Sequence, residues 1–359
     1  MIKTYTYKIK PNKSLERKFY EQIGVCRYVY NLAIEVREES FRKGVNINYY
    51  DLSKQLTEVK KDFEWLKTVN AQTLQDTLKR LENGYKKFFS DLKKGVKTSK
   101  PKFAKKDKWI SLPFKSIKTS ENYFELPKFG KIKVFKFKVP KGELRTASIL
   151  KEADGLYLKV VVKQEEQIRE NQSICAIDMG ITFFLTTSDG EFVDNPKHLF
   201  KYLKQLRVEN RKLSRMKKGG SNWKKQVGVL KRLYQKISRV RKDFLHKQSR
   251  KLANEYGTVI REDLKISKMV KDSRFSQHIS DCSWGTFFEF LEYKTNVIKV
   301  DCAYTSQMCS KCGHTSKENR KTQSLFECTD CGYTENADLQ ATYNILERGC
   351  SLMEANVGH

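Results

Sequence analysis

Cys309-Ser310-Lys311-Cys312 and Cys328-Thr329-Asp330-Cys331 are two CxxC pairs separated by residues 313–327, and Asp338 follows within Glu335-Asn336-Ala337-Asp338-Leu339-Gln340. This spacing is that of a four-thiolate zinc ribbon. Gly313 and Gly332 each follow the second Cys of a pair and permit the positive φ that closes a tight knuckle. The pattern predicts a zinc ion held by Cys309, Cys312, Cys328 and Cys331. Tetrathiolate zinc is coordinatively closed and serves as a staple, with no position for a substrate. Any chemistry must lie beside the ribbon.

Composition sets the wider frame. The 359 residues are enough for two or three compact units. Lys and Arg number 71 against 42 Asp and Glu, a formal charge of +29 that calls for a polyanionic partner. No apolar run approaches the roughly 20 residues that span a bilayer, and the first residues carry no signal-peptide core. Nucleic acid is therefore preferred to a membrane, and a cytoplasmic protein acting at the nucleoid is expected. Cys26, Cys175, Cys282, Cys302 and Cys350 lack any pairing pattern and read as buried free thiols of a reducing compartment.

The N-terminal third reads as a strand and then helices. Ile2, Tyr5, Tyr7 and Ile9 lead to Pro11-Asn12, and Ser14 stands where it would cap a long helix bearing Leu15, Phe19, Ile23, Tyr30 and Val36. Leu74, Leu78, Leu81, Tyr85, Phe88 and Leu92, spaced by fours and threes, predict another helix. Residues 93–109 form a basic linker in which Phe103 and Trp109 are interleaved with lysines, Lys102 among them. Such a run is either a solvated loop or a surface that stacks bases beside phosphate contacts.

Strand periodicity then takes over. Residues 131–139 alternate with a phase slip at Val134-Phe135, read as a bulge, and residues 147–150 and 156–162 flank the turn Ala153-Asp154-Gly155. With the N-terminal strand these predict a small β-barrel with one basic face. Residues 173–180 read as a short apolar strand ending in Asp178, with a returning strand over 182–187. Residues 198–256 predict a helical hairpin broken at Lys217-Lys218-Gly219-Gly220. From 201 to 250 there are 18 Lys and Arg against Glu209 and Asp243 alone, whereas a solvated helix mixes signs. The hairpin reads as a rail for a phosphate backbone, with Lys217, Lys218, Lys224 and Lys225 as candidate contacts. Residues 258–264 predict a strand closing on Glu262, 287–294 an amphipathic helix, 296–301 a strand entering the ribbon, and 337–346 a final helix. Residues 349–359 carry no pattern and read as an unstructured tail.

Asp178, Glu262 and Asp338 thus stand at the mouths of a strand, a strand and a helix. Singly, each would be a cap or a surface acid. In that order they match the layout of an RNase H-like nuclease. Cleavage of a phosphodiester by two metals needs carboxylates bridging Mg²⁺ ions roughly 3.5–4 Å apart, one activating water and one steadying the leaving oxygen. Mg²⁺ takes few carboxylates and shares the rest of its shell with water and phosphate. Asp263 is the alternative beside Glu262, but strand alternation turns it to the other face.

These motifs together resemble TnpB, the family of RNA-guided DNA nucleases encoded by insertion sequences and related to type V CRISPR effectors. The likeness spans nearly the whole chain. It includes Pro11-Asn12, the stretch 26–31 containing Arg27 and Tyr30, residues 127–130 with 153–155, the segments around Asp178 and Glu262, residues 280–284 and 291–294, the four cysteines, and Asn336-Ala337-Asp338. It implies an α+β multidomain protein. A wedge β-barrel would cover 1–12 and 112–170, and a helical recognition domain with its basic linker 13–111. A split RuvC-like nuclease domain would cover 171–302 and 335–348, with the hairpin 198–256 inside it. The zinc ribbon would be 303–334 and the tail 349–359. The resemblance also implies catalytic Mg²⁺ on Asp178, Glu262 and Asp338, a guide RNA from the transposon end, and double-stranded target DNA chosen beside a short flanking motif. Arg27, Tyr30, Lys102, Phe103 and Trp109 join the hairpin lysines as nucleic-acid contacts, and a monomer is expected. The family has Asn and Ala where this chain has Gln340 and Thr342, so a weakened second layer around Asp338 is expected. An RNA-guided DNA-binding regulator with little cleavage, or an RNase H-fold transposase acting without RNA, are the alternatives.

Overall fold

The structure, a computed structural model, describes residues 2–106, 108–165 and 171–357. The chain divides into two compact units, residues 1–166 and 167–359. The expected domain change at 170/171 adjoins residues 166–170, and residues 358–359 end the expected tail; both lie outside the described residues.

The first unit begins with β1 (Ile2–Lys8), followed by α1 (Lys13–Arg42), α2 (Tyr49–Asp62) and α3 (Ala71–Lys93). The cap of α1 is Asn12, whose side chain accepts from the backbone N–H groups of Ser14 and Leu15, and not Ser14. Asn12 is extended, with φ −151° and ψ 115°, the backbone conformation of a cap residue. Phe19, Leu74, Leu78 and Leu81 from α1 and α3 are fully buried together, each side chain contributing about 1.5–3 kcal/mol of apolar burial.

The strands of this unit are β2 (Ser111–Phe114), β3 (Lys118–Thr119), β4 (Phe124–Leu126), β5 (Gly130–Ile132), β6 (Glu143–Glu152) and β7 (Gly155–Lys163). They form two sheets, in the orders β1-β7-β6-β2 and β3-β4-β5, joined by a bridge between Ile9 and Val134. The hairpin between β6 and β7 turns at Ala153-Asp154, and Gly155, which opens β7, takes a φ of 140°. The run 131–139 is not one strand. It leaves the sheet after Ile132, touches β1 at Val134, and turns at Lys136, whose φ is 49°. The phase slip marks a true bend: Val134 stays buried while Phe135 is exposed.

The second unit opens with β8 (Ile174–Met179), β9 (Phe183–Thr187) and β10 (Phe192–Asp194). Next come the hairpin α4 (His198–Ser214) and α5 (Ser221–Glu255), then β11 (Thr258–Glu262), α6 (Ile266–Asp272), α7 (Ser276–Cys282), α8 (Trp284–Glu292) and β12 (Asn296–Val300). The sheet order is β10-β9-β8-β11-β12, antiparallel through β8 and parallel from β8 to β12. This strand order and direction is the RNase H-like arrangement, in an α+β unit. After the loop 301–324 come β13 (Leu325–Glu327) and β14 (Thr334–Asn336), an antiparallel pair, and then α9 (Ala337–Val357).

The expected tail is helical through Val357. Ile345 and Cys350 of α9 pack on Ala176, Ile260 and Val300, so sheet burial carries the helix past Leu346. Gly349 lets α9 approach β11, since a Cβ there would stand 2.3 Å from Ile260 Cδ1. No helix among the described residues is long and apolar enough to cross a membrane.

Candidate nuclease site

Parallel pairing explains how two acids distant in sequence meet. β8 and β11 pair with Ile177 opposite Arg261, so one step further along, Asp178 and Glu262 emerge side by side at the same edge. Val259, Ile260, Ala176 and Ile177 are fully buried and hold that register. α9 packs along β8, and its first turn brings Asp338 to the same edge. The three carboxylates line one cleft of about 510 Å³. Asp263 is exposed, its N–H bound to Val300 O at 2.9 Å.

The cleft raises the proton affinity of all three acids. Burial is the main cause at Asp178, and repulsion from Glu262 and Asp338 adds to it. Burial also raises Glu262, against the hydrogen bond it accepts from Thr305 Oγ1 at 2.5 Å. At Asp338 burial again dominates, opposed by Arg320, whose Nη2 lies 3.1 Å from Asp338 Oδ1. A site that gathers three acids and one fixed cation favours an added positive charge, and its oxygen donors suit a hard metal ion.

Beside the cleft, the four cysteine sulfurs lie within 4.8 Å of one another, with Cys309–Cys331 at 3.7 Å and Cys312–Cys328 at 3.6 Å. Tetrahedral zinc with bonds of about 2.3 Å sets its sulfurs about 3.8 Å apart, so this thiolate set fits zinc. Gln340 proves to brace this knuckle and does not touch Asp338. Its Nε2 donates to Met308 O at 2.9 Å and its Oε1 accepts from Ser310 Oγ at 2.9 Å. Asn344, one turn on, donates to Thr305 O and Met308 O, both at 2.7 Å. Thr342 is buried and donates to Leu339 O.

A family profile described as "Probable transposase" matches residues 157–273, and one described as "Cas12f1-like, TNB domain" matches residues 284–345. A "Helix-turn-helix domain" profile matches residues 1–45, which here form one strand and one long helix. InsQ of Escherichia coli (strain K12), by its name a candidate RNA-guided DNA endonuclease, is 30% identical over 98% of this chain and 93% of its own. The chain belongs to the TnpB family. A like-named relative in Streptomyces pristinaespiralis is 30% identical over 97% of this chain and 89% of its own. The CRISPR-associated endodeoxyribonuclease Cas12f1 of Sulfoacidibacillus thermotolerans is 33% identical over 38% of this chain and 36% of its own.

In this TnpB-family chain the remaining expected residues fall into separate places. Tyr30, Lys102, Phe103 and Trp109 line a second cleft in the first unit, whereas Arg27 lies partly buried on α1 outside that lining. Lys217, Lys218, Lys224 and Lys225 are exposed around the turn from α4 to α5. Cys302 is exposed and lines the acid cleft, contrary to the expectation of a buried thiol, because it lies two residues beyond the end of β12, outside the sheet. Cys350 is half-buried, and the other three unassigned thiols are buried. Sequence reasoning missed Arg320 and Thr305. Arg320 sits in a polar loop with no periodicity, and only its place between the two thiolate pairs hinted at a fixed position.

Proposed function

We propose that this chain is an RNA-guided, Mg²⁺-dependent DNA endonuclease of an insertion sequence. The observation that carries the reading is the convergence of Asp178, Glu262 and Asp338, from three elements, on one cleft. The relatives' names supply the RNA guidance and the DNA substrate. On this reading the three carboxylates hold Mg²⁺, which supplies Lewis acidity and an activated water when bound. Asp178 and Glu262 are fixed by the paired strands, and Asp338 is held in orientation by Arg320. Thr305 Oγ1 donates to one Glu262 oxygen and so restrains that carboxylate.

The four cysteines hold structural zinc, and the ribbon anchors the loop that bears Arg320. The first unit serves as recognition helices and wedge, and the exposed lysines of the α4–α5 turn contact phosphates. The guide comes from the transposon end, and pairing supplies sequence specificity while the protein reads a short flank. The chain acts as a monomer in the cytoplasm.

The test uses protein expressed with its native downstream DNA, so that associated RNA co-purifies. The complex is given plasmids carrying the guide's target beside randomised flanks. Cutting confined to one flank class, and lost with EDTA, RNase or Asp178→Ala, is expected. Cutting that survives RNase would replace this reading with a transposase acting without RNA. Target binding without cutting would replace it with a regulator.

A further inference from the structure

The first unit contains a cleft of about 490 Å³ that the nuclease reading leaves unused. Tyr30 of α1, Arg80 of α3 and, from the segment that follows α3, residues 102–105, Lys108 and Trp109 line it. The segment is held in place as a built feature. Asn31 Oδ1 accepts from Ala104 N at 2.7 Å and Asn31 Nδ2 donates to Ala104 O at 3.4 Å. Pro101 lies so close on α3 that a Cβ at Gly84 would meet its Cγ at 3.2 Å.

Inside, the cleft is aromatic and cationic. Tyr30 and Trp109 stand edge to face with centroids 5.2 Å apart, and the Arg80 guanidinium lies 5.5 Å from the Trp109 ring. Arg80 is itself fixed by Asp76 Oδ2 at 2.8 Å and Ser111 Oγ at 3.0 Å. Trp109 Nε1 is sealed from water with no acceptor among the described residues. Tyr30 and Trp109 also pack against the core of the unit, so they alone would be explained by folding. Phe103 is not explained that way: it is 56% exposed and outside that core. Lys102, Lys105 and Lys108 are exposed beside it, with no carboxylate partner among the described residues.

We propose that this cleft receives one unstacked nucleotide of a single strand. The base lies against Phe103 and the Tyr30–Trp109 wall, and the lysines hold its flanking phosphates. An aromatic platform with a cationic rim is the arrangement that holds single strands without reading their sequence. The cleft also falls in the size range of small-ligand pockets. The proposal rests on the RNA-guided reading for the strand's source, either guide RNA or unpaired DNA.

The experiment measures binding of the full chain in EDTA, where no cutting occurs. The probes are 4-thiouridine RNA and 4-thiothymidine DNA of about twelve nucleotides, and an abasic phosphodiester of equal length. Phe103→Ala should weaken base-bearing probes on the order of tenfold and leave the abasic probe unchanged. Lys102→Gln with Lys105→Gln should weaken all three. Photocrosslinks should map to Phe103, Tyr30 or Trp109. Tighter binding of the RNA probe assigns the pocket to the guide, and tighter binding of the DNA probe to an unpaired DNA strand. Equal loss on the abasic probe, no loss with Phe103→Ala, or crosslinks confined to other segments would overturn the proposal. Failure of the nuclease reading is seen separately, as cutting retained by Asp178→Ala.

Discussion

Arg320 Nη2 stands 3.1 Å from Asp338 Oδ1, and the two residues reach that contact from different structures. Asp338 belongs to the first turn of α9, and Arg320 to the loop between the two thiolate pairs. The thiolate cluster therefore decides where the acid's counter-charge lies, although it offers no ligand position itself.

Loss of zinc should accordingly impair cutting. Cys312→Ser, at an exposed ligand, is expected to release zinc and to lower the cleavage rate about 10- to 100-fold, the scale seen when a partner of a metal ligand is removed. Arg320→Ala should lower the rate similarly while zinc stays bound, with Arg320→Lys intermediate because it keeps charge but loses the fork. Single-turnover cleavage beside zinc content by mass spectrometry decides the matter. Full activity in a zinc-free Cys312→Ser protein would break the link.

Gln340 gives a second expectation. Both arms of its amide hold the knuckle, and the side chain is fully buried. Gln340→Ala would leave Ser310 Oγ without its acceptor and Met308 O with Asn344 Nδ2 as its remaining side-chain donor, at a cost of about 1–3 kcal/mol. Zinc should leave faster to a chromophoric chelator, and Tm should fall by several degrees. Gln340→Asn, one methylene shorter, should fall between. Unchanged zinc release in Gln340→Ala would show that the brace carries no load.

Gln340 also shows where sequence reading succeeds and where it stops. Two residues along an α-helix turn about 200°, so position 340 faces away from Asp338, and closeness in sequence misled. The acids were legible for the converse reason. Parallel strands align their C-terminal ends, so an acid ending each of two buried apolar runs must face one edge. The four thiolates were legible from spacing alone. Arg320, Thr305 and Asn31 were not, because the first two act from a loop and Asn31 holds a loop through the two arms of its amide, and neither leaves a periodic trace. The run 131–139 alternated apart from its phase slip, but beyond Ile132 it changes partner from β4 to the chain around Ile9 and forms only an isolated bridge there, and alternation cannot report pairing.

The helical course of α9 past Leu346 can be tested by packing. Gly349→Ala would press a methyl against Ile260, whose side chain is fully buried. Overpacking of this kind costs about 1–3 kcal/mol. Ile260→Val should recover part of that loss when combined with Gly349→Ala, although alone it destabilises by about 0.5–1.5 kcal/mol. Denaturant titration of the four proteins checks the coupling. Strict additivity would mean that α9 does not dock on β11 at this glycine.

Lys294 supplies a dependence on pH. It follows α8 and donates to His246 O at 3.2 Å, with His246, Tyr293 and Arg250 as its titratable and charged neighbours. Burial, reinforced by Arg250, lowers its pKa to about 8 from the ordinary 10.5. Between those values the unfolded chain binds the proton that the folded chain has released. Stability should therefore rise with pH through that window, and the cost of the charged lysine is fully present below it. Lys294→Met removes the ammonium while keeping much of the stem. It should raise Tm at pH 7 and flatten the rise in Tm between pH 8 and 10 relative to the native chain. Calorimetry of both proteins across that range reads the difference directly. Parallel Tm profiles for the two would assign the slope to other groups and remove Lys294 as its source.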